Sequence, residues 1–147
     1  MKNTINREAF VDASDHVGKL RQGYKLWNDT KGGSVAEWMA LMADDVVMRG
    51  PSGAGLEFAG CCTGKEAAGA YFTGLATEWE MIHFIPEEFI AQGDRVVVLS
   101  KVSFRSRRTG KVAESPKADV FRFRDGQIVE FFEFFDTAAA LAGTQPD

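Results

Sequence analysis

Apolar residues recur every three or four positions through the first half of the chain and every second position in its last third, so the pattern passes from helix to strand along the sequence. From Asp15 to Asn28, Val17, Leu20, Tyr24 and Trp27 form one stripe of an amphipathic helix, which Lys31-Gly32-Gly33 ends. Ser34 followed by Glu37 reads as a capping box for a short helix to Met42, with Trp38, Leu41 and Met42 turned inward. Val46 to Arg49 read as a strand closed by Gly50-Pro51-Ser52-Gly53. Thr63-Gly64-Lys65-Glu66 is a second capping box, opening a helix on which Ala67, Ala68, Tyr71, Phe72, Leu75 and Trp79 keep helical spacing. Strands follow at Met81 to Ala91, Arg95 to Ser106, Lys111 to Arg124 and Gln127 to Asp136, and the short turns between them predict an antiparallel meander. Ala138 to Gly143 read as an Ala-rich tail. Three helices with one apolar stripe each are the only layer available to cover such a sheet, so the fold class is α+β. A sheet that curls around helices of too little bulk leaves an apolar pocket, the default ligand site.

Composition narrows the possibilities. The 147 residues, 45% hydrophobic, suit one domain with one core, with residues 1–14 as a mobile N-terminal arm. A net charge of −4 does not advertise the phosphate-neutralising surface that nucleic acid requires, and Arg105, Arg107, Arg108 and Lys111 read as a solvated hairpin tip. Cys61 and Cys62 are adjacent, which rarely allows a disulfide, and with two histidines they make a metal site improbable. No dinucleotide or phosphate-loop pattern is present, so no cofactor is expected. The N-terminus lacks an apolar signal core and no run is long enough to span a membrane, which points to the cytoplasm.

The last two strands carry the chemistry. A three-residue loop at Arg124-Asp125-Gly126 pairs Phe123 with Gln127 and puts Asp119, Phe121 and Phe123 on one face with Val129, Phe131, Glu133 and Phe135. A two-residue loop at Asp125-Gly126 puts the two acids on opposite faces instead. On one aromatic face, Asp119 and Glu133 are short of water and repel one another, so at least one has a raised pKa suited to proton transfer near neutrality. The alternative is that Lys117, opposite Glu133 in this register, neutralises it as a buried ion pair. Tyr24, Trp27, Met48, Tyr71, Phe104, Phe121, Phe131 and Phe135 are the expected pocket lining around Glu133 and Asp119, and Tyr24 and Tyr71 are candidate donors to an oxyanion. Arg49 and His83 are lone polar residues in strands, without an assigned role. Six of the twelve phenylalanines lie between Phe121 and Phe135, and Ile128, Phe132 and Phe134 fall on the outer face, which predicts a homodimer packed sheet on sheet, with coverage by the Ala-rich C-terminal tail as the alternative.

The run Asp119-Val-Phe-Arg-Phe-Arg-Asp-Gly-Gln-Ile-Val-Glu-Phe-Phe-Glu133-Phe-Phe-Asp136, with Trp27-Asn28 and Ala43-Asp-Asp-Val-Val47, resembles the SnoaL-like branch of the nuclear transport factor 2-like superfamily over nearly the whole chain. The resemblance implies a cone of curved sheet closed by three helices around an apolar pocket, and a dimer. In SnoaL-like polyketide cyclases an Asp and a His occupy the positions of Glu133 and Asp119; the spacing of fourteen residues is kept while both residue types differ. In ketosteroid isomerases the base position falls on Gly50, and Asp119 matches a protonated oxyanion-binding Asp. In limonene epoxide hydrolase-like enzymes an Arg-x-Asp partners the position of Glu133, but here that strand reads Leu99-Ser-Lys-Val-Ser-Phe104. The resemblance thus implies a cofactor-independent proton-transfer enzyme for a small apolar carbonyl compound, of cyclase, isomerase or dehydratase type. A non-catalytic binding module and an epoxide hydrolase-like enzyme are the alternatives.

Overall fold

The computed structural model describes residues 2–51 and 62–147, with side chains from Asp15 onward. Cys61 and the turn residues Ser52 and Gly53 lie outside the described residues, as do the side chains of the expected arm. The elements are α1 (Lys2–Asp29), α2 (Val35–Leu41), β1 (Met42–Arg49), β2 (Cys62–Thr63), α3 (Lys65–Glu78), β3 (Trp79–Gln92), β4 (Arg95–Ser106), β5 (Val112–Arg124), β6 (Gln127–Phe135) and α4 (Thr137–Thr144).

The six strands form one curved, unclosed sheet in the order β2-β1-β6-β5-β4-β3. The predicted meander is its larger part, and β1 joins it by running parallel to β6. Parallel neighbours need a crossover, and everything from α3 to β5 lies between these two strands in the chain. The helices cover the concave face. Leu20, Tyr24 and Trp27 of α1 are buried together with Trp38 of α2 and Phe72 of α3. Asn28 Oδ1 accepts the backbone N–H of Phe84 at 2.8 Å, which fastens the end of α1 to β3. Among the described residues no helix is long and apolar enough to cross a membrane.

Four local expectations are corrected. Neither capping box forms. Ser34 is the N-cap of α2, but its side chain is buried and makes no cap hydrogen bond. Thr63 pairs with Val47 in β2, so Gly64 becomes the N-cap of α3, at φ 97°, where a side chain would be strained. The tail is a helix, α4, whose N-cap Asp136 accepts the N–H of Ala139 at 3.0 Å. Ile128, expected on the outer face, is fully buried. The reason lies in the final hairpin.

Candidate active site

Asp125 and Gly126 have φ values of 53° and 78°, the two positive angles of a type I′ turn, and the loop is the two-residue one, with Arg124 opposite Gln127 and Phe123 opposite Ile128. That loop alone would separate the acids. One step further, however, Arg122 pairs with Glu130, so β6 carries one extra residue, Val129, as a bulge. The bulge restores parity. Asp119 lies directly opposite Glu133, Phe121 opposite Phe131 and Lys117 opposite Phe135. The expected partner of Glu133 across the strands was Lys117; the two-residue turn and the bulge each move the pairing by one residue, and together they leave all three charged groups on the concave face.

Asp119 is 1% exposed and Glu133 5%. Burying two carboxylates is expensive unless each is hydrogen-bonded and countered by a cation, and here both conditions are met. Tyr24 donates its hydroxyl to Asp119 Oδ2 and Tyr71 donates to Glu133 Oε2, both at 2.5 Å. Lys117 Nζ stands 3.0 Å from both Asp119 Oδ1 and Glu133 Oε1, with its side chain only 10% exposed. Five groups therefore form one array, Tyr24, Asp119, Lys117, Glu133 and Tyr71, supplied by α1, β5, β6 and α3.

Burial is the main influence raising the Asp119 pKa above the usual carboxylate value; Lys117 opposes it, Glu133 adds to it, and the Tyr24 bond lowers it. Burial also pulls the Lys117 ammonium down, but the two carboxylates more than reverse this, so Lys117 stays protonated above the ordinary lysine value. Tyr24 and Tyr71 are held well above their usual value, first by burial and then by the carboxylate each one meets.

The array borders a cavity of about 80 Å³ between the helices and the sheet. Of the residues expected to line it, Tyr24, Trp27, Tyr71, Phe104, Phe131, Phe135, Asp119 and Glu133 do so. Met48 and Phe121 do not. They are buried in packed core, Phe121 stacked on Trp38 and edge-on to Phe131 at 4.7 Å between ring centres. Trp38, Phe72, Phe84, Trp79 and Ala140 also contribute to the wall, the last from α4. An Asp immediately before Thr-Ala-Ala-Ala was the available signal for α4. Arg49 lies over the ring of Phe132 on the convex face, and His83 is half-buried opposite Ser103, away from the acids. Among the described residues, no group of three or more His, Cys, Asp and Glu converges as a metal ion would require.

Chemically, the array offers oxygen bases beside a fixed ammonium in a cavity walled largely by aromatic rings. A carboxylate has about four lone-pair positions, and Glu133 uses one on Tyr71 and one on Lys117. Capacity remains for a proton.

Residues 20–131 match the SnoaL-like domain family. Among solved structures, an NTF2-like protein of unknown function from Burkholderia pseudomallei is 26% identical, with a TM-score of 0.76 over 87% of this chain and 95% of that one. An NTF2-like protein from Burkholderia thailandensis is 27% identical, with a TM-score of 0.74 over 94% and 98%. A candidate SnoaL-like polyketide cyclase from a Jannaschia species is 20% identical, with a TM-score of 0.73 over 91% and 95%, a likeness of fold alone. No curated protein matches the sequence at a significant level.

Proposed function

We propose, from the premise that this chain belongs to the SnoaL-like domain family, that it is a cofactor-independent proton-transfer enzyme acting on a small apolar carbonyl compound, of the cyclase, isomerase or dehydratase type. The observation that carries this reading is the pair Asp119 and Glu133, opposite one another and both bordering an aromatic cavity. Glu133 is the general acid/base. It takes a proton from the carbon next to the carbonyl and returns it to another atom of the substrate. Asp119 is the orienting partner: it accepts from Tyr24 at Oδ2 and forms an ion pair through Oδ1 with the ammonium that Glu133 shares.

Hydrogen–deuterium exchange at the α-carbons of cyclohexanone in D2O, followed by NMR, tests the reading without the natural substrate. The wild-type protein accelerates exchange over buffer, and Glu133→Gln lowers the rate by about a hundredfold or more with the fold intact. Exchange by E133Q at the wild-type rate would overturn the assignment. A second reading, a binding module without turnover, is favoured by Lys117, which already pairs with both acids. In that case the wild type leaves the exchange rate at the buffer value while cyclohexanone still changes tryptophan fluorescence, since all three tryptophans border the cavity.

The same reading includes a homodimer. On the convex face the pairings place Ile90, Val97, Val120 and Phe132 in one row and Leu99, Ala118 and Phe134 in the next. Phe134 is 55% exposed and Ile90 46%. A continuous apolar surface across four strands suits a second copy of the sheet.

A further inference from the structure

Each tyrosine of the array has one phenolic proton, and both are spent, on Asp119 and on Glu133. Neither is left for a substrate oxygen. Lys117 differs, because an ammonium carries three N–H donors: one is donated to Glu133 Oε1, and Asp119 Oδ1, an ion-pair partner at 3.0 Å, draws at most a second. The remaining direction meets aromatic rings, with Nζ 4.9 Å from the centre of Phe84 and 5.9 Å from that of Phe131, two walls of the cavity. A ring face holds a cation less firmly than a charge-assisted hydrogen bond to oxygen does. A carbonyl oxygen entering the cavity can therefore take this donor at little cost. Its α-carbon, one bond beyond the carbonyl carbon, then faces Glu133, because Nζ and Oε1 are only 3.0 Å apart.

We propose that Lys117 is a further catalytic residue, whose remaining N–H donates to the carbonyl oxygen of a neutral substrate and stabilises the charge that develops there while Glu133 holds the α proton. This rests on the proton-transfer reading of Glu133. In the step, the α C–H bond breaks and its proton passes to Glu133. The C–H electron pair forms the C=C bond of an enolate, and the carbonyl π pair moves onto oxygen, hydrogen-bonded to Lys117, which keeps its own proton. Return of the proton from Glu133 to carbon completes the cycle, with no change of oxidation state and no co-reactant. The substrate class follows from charge. One ammonium against two carboxylates leaves the site negative, so it favours neutral carbonyl compounds over carboxylates or phosphates of the same shape. Because Lys117 stays protonated, it serves as a donor and not as an amine nucleophile.

The test uses 4-nitrophenolate as an enolate mimic in the Glu133→Gln variant, whose amide reproduces the charge of a protonated Glu133. The affinity ratio of 4-nitrophenolate to the uncharged isostere 4-nitrotoluene isolates the oxyanion contact, since a merely structural role for Lys117 would change both affinities together. Adding Lys117→Gln should lower that ratio by about tenfold or more, the worth of one hydrogen bond to a charged group. Adding Lys117→Arg, which keeps the cation, should leave it within about threefold. An unchanged ratio with K117Q, or no phenolate binding by E133Q, would overturn the proposal. If the K117Q protein does not fold, a ratio lost in K117R overturns it and a ratio kept supports it. The fall in cyclohexanone exchange from wild type to E133Q tests the role of Glu133, and the phenolate ratio, measured with Glu133 already replaced, tests that of Lys117, so the two failures are distinguishable.

Discussion

Tyr24 is both a core aromatic and the donor that satisfies a buried carboxylate, so its hydroxyl matters out of proportion to its size. Tyr24→Phe keeps the ring packing and leaves Asp119 Oδ2 without its donor, which should cost about 1–3 kcal/mol in urea unfolding. The protons of the array also set a pH window. Tyr24, Tyr71 and Lys117 all have folded pKa values above their usual 10.0, 10.0 and 10.5. Each holds its proton more tightly folded than unfolded, so the stabilisation is complete below pH 10 and is lost as pH rises through the raised values. The urea midpoint should accordingly fall on the alkaline side, and less steeply in the Tyr24→Phe/Tyr71→Phe variant. Asp119 is raised from 3.8, chiefly by burial, so its contribution is complete below that value and is lost as pH rises through the folded one. Asp119→Asn should remove that acid-side dependence. The sequence identified both acids and the approach of Lys117 to Glu133. It did not identify the second contact of Lys117 with Asp119, or that each tyrosine hydroxyl donates to a carboxylate, because the tyrosine bonds depend on where α1 and α3 lie over the sheet and the Lys117 contact on the register of the final hairpin.

The final hairpin shows how an element can reach an expected face by an unexpected route. The sequence Asp-Gly favours a two-residue turn, and the turn forms; the bulge at Val129 then corrects the register that this turn imposes. Deleting Val129 removes the extra residue while every later pairing survives, so exchange activity should persist, with stability within about 1–2 kcal/mol of the wild type. Deleting Phe132 instead sends Glu133 to the convex face. It leaves Tyr71 without its acceptor and Lys117 with Asp119 alone, and unfolding should register a loss of about 3–5 kcal/mol together with the activity. At the other end of the cavity, α4 places Gly143 so close to Trp79 that a Cβ there would lie 3.1 Å from the indole, and Ala140 borders the cavity. Removing residues 137–147 should open this end, and acrylamide should quench tryptophan fluorescence more strongly than in the full chain. Equal quenching would show that α4 does not close the cavity.

At the scale of the whole molecule, the two faces of one sheet divide the work between them. The concave face gathers charge under aromatic cover, while the convex face carries the apolar rows of β3 to β6. For the proposed homodimer, Phe134→Glu, at the exposed β6 end of those rows, should shift sedimentation from dimer to monomer at micromolar concentration while leaving the cavity untouched. The sequence by itself determined the α+β class, the meander, the helical stripes and the two acids, because each is written in a local period of apolar residues or in a turn dipeptide. Only the tertiary structure decided that β1 runs parallel beside β6, that Thr63 leaves its cap to pair with β1, that the tail folds over the cavity and that Asp119 faces Glu133. In each of these cases local preference allowed more than one outcome. The choice fell to contacts between residues far apart in the chain, among them those of the two buried carboxylates with Lys117, Tyr24 and Tyr71.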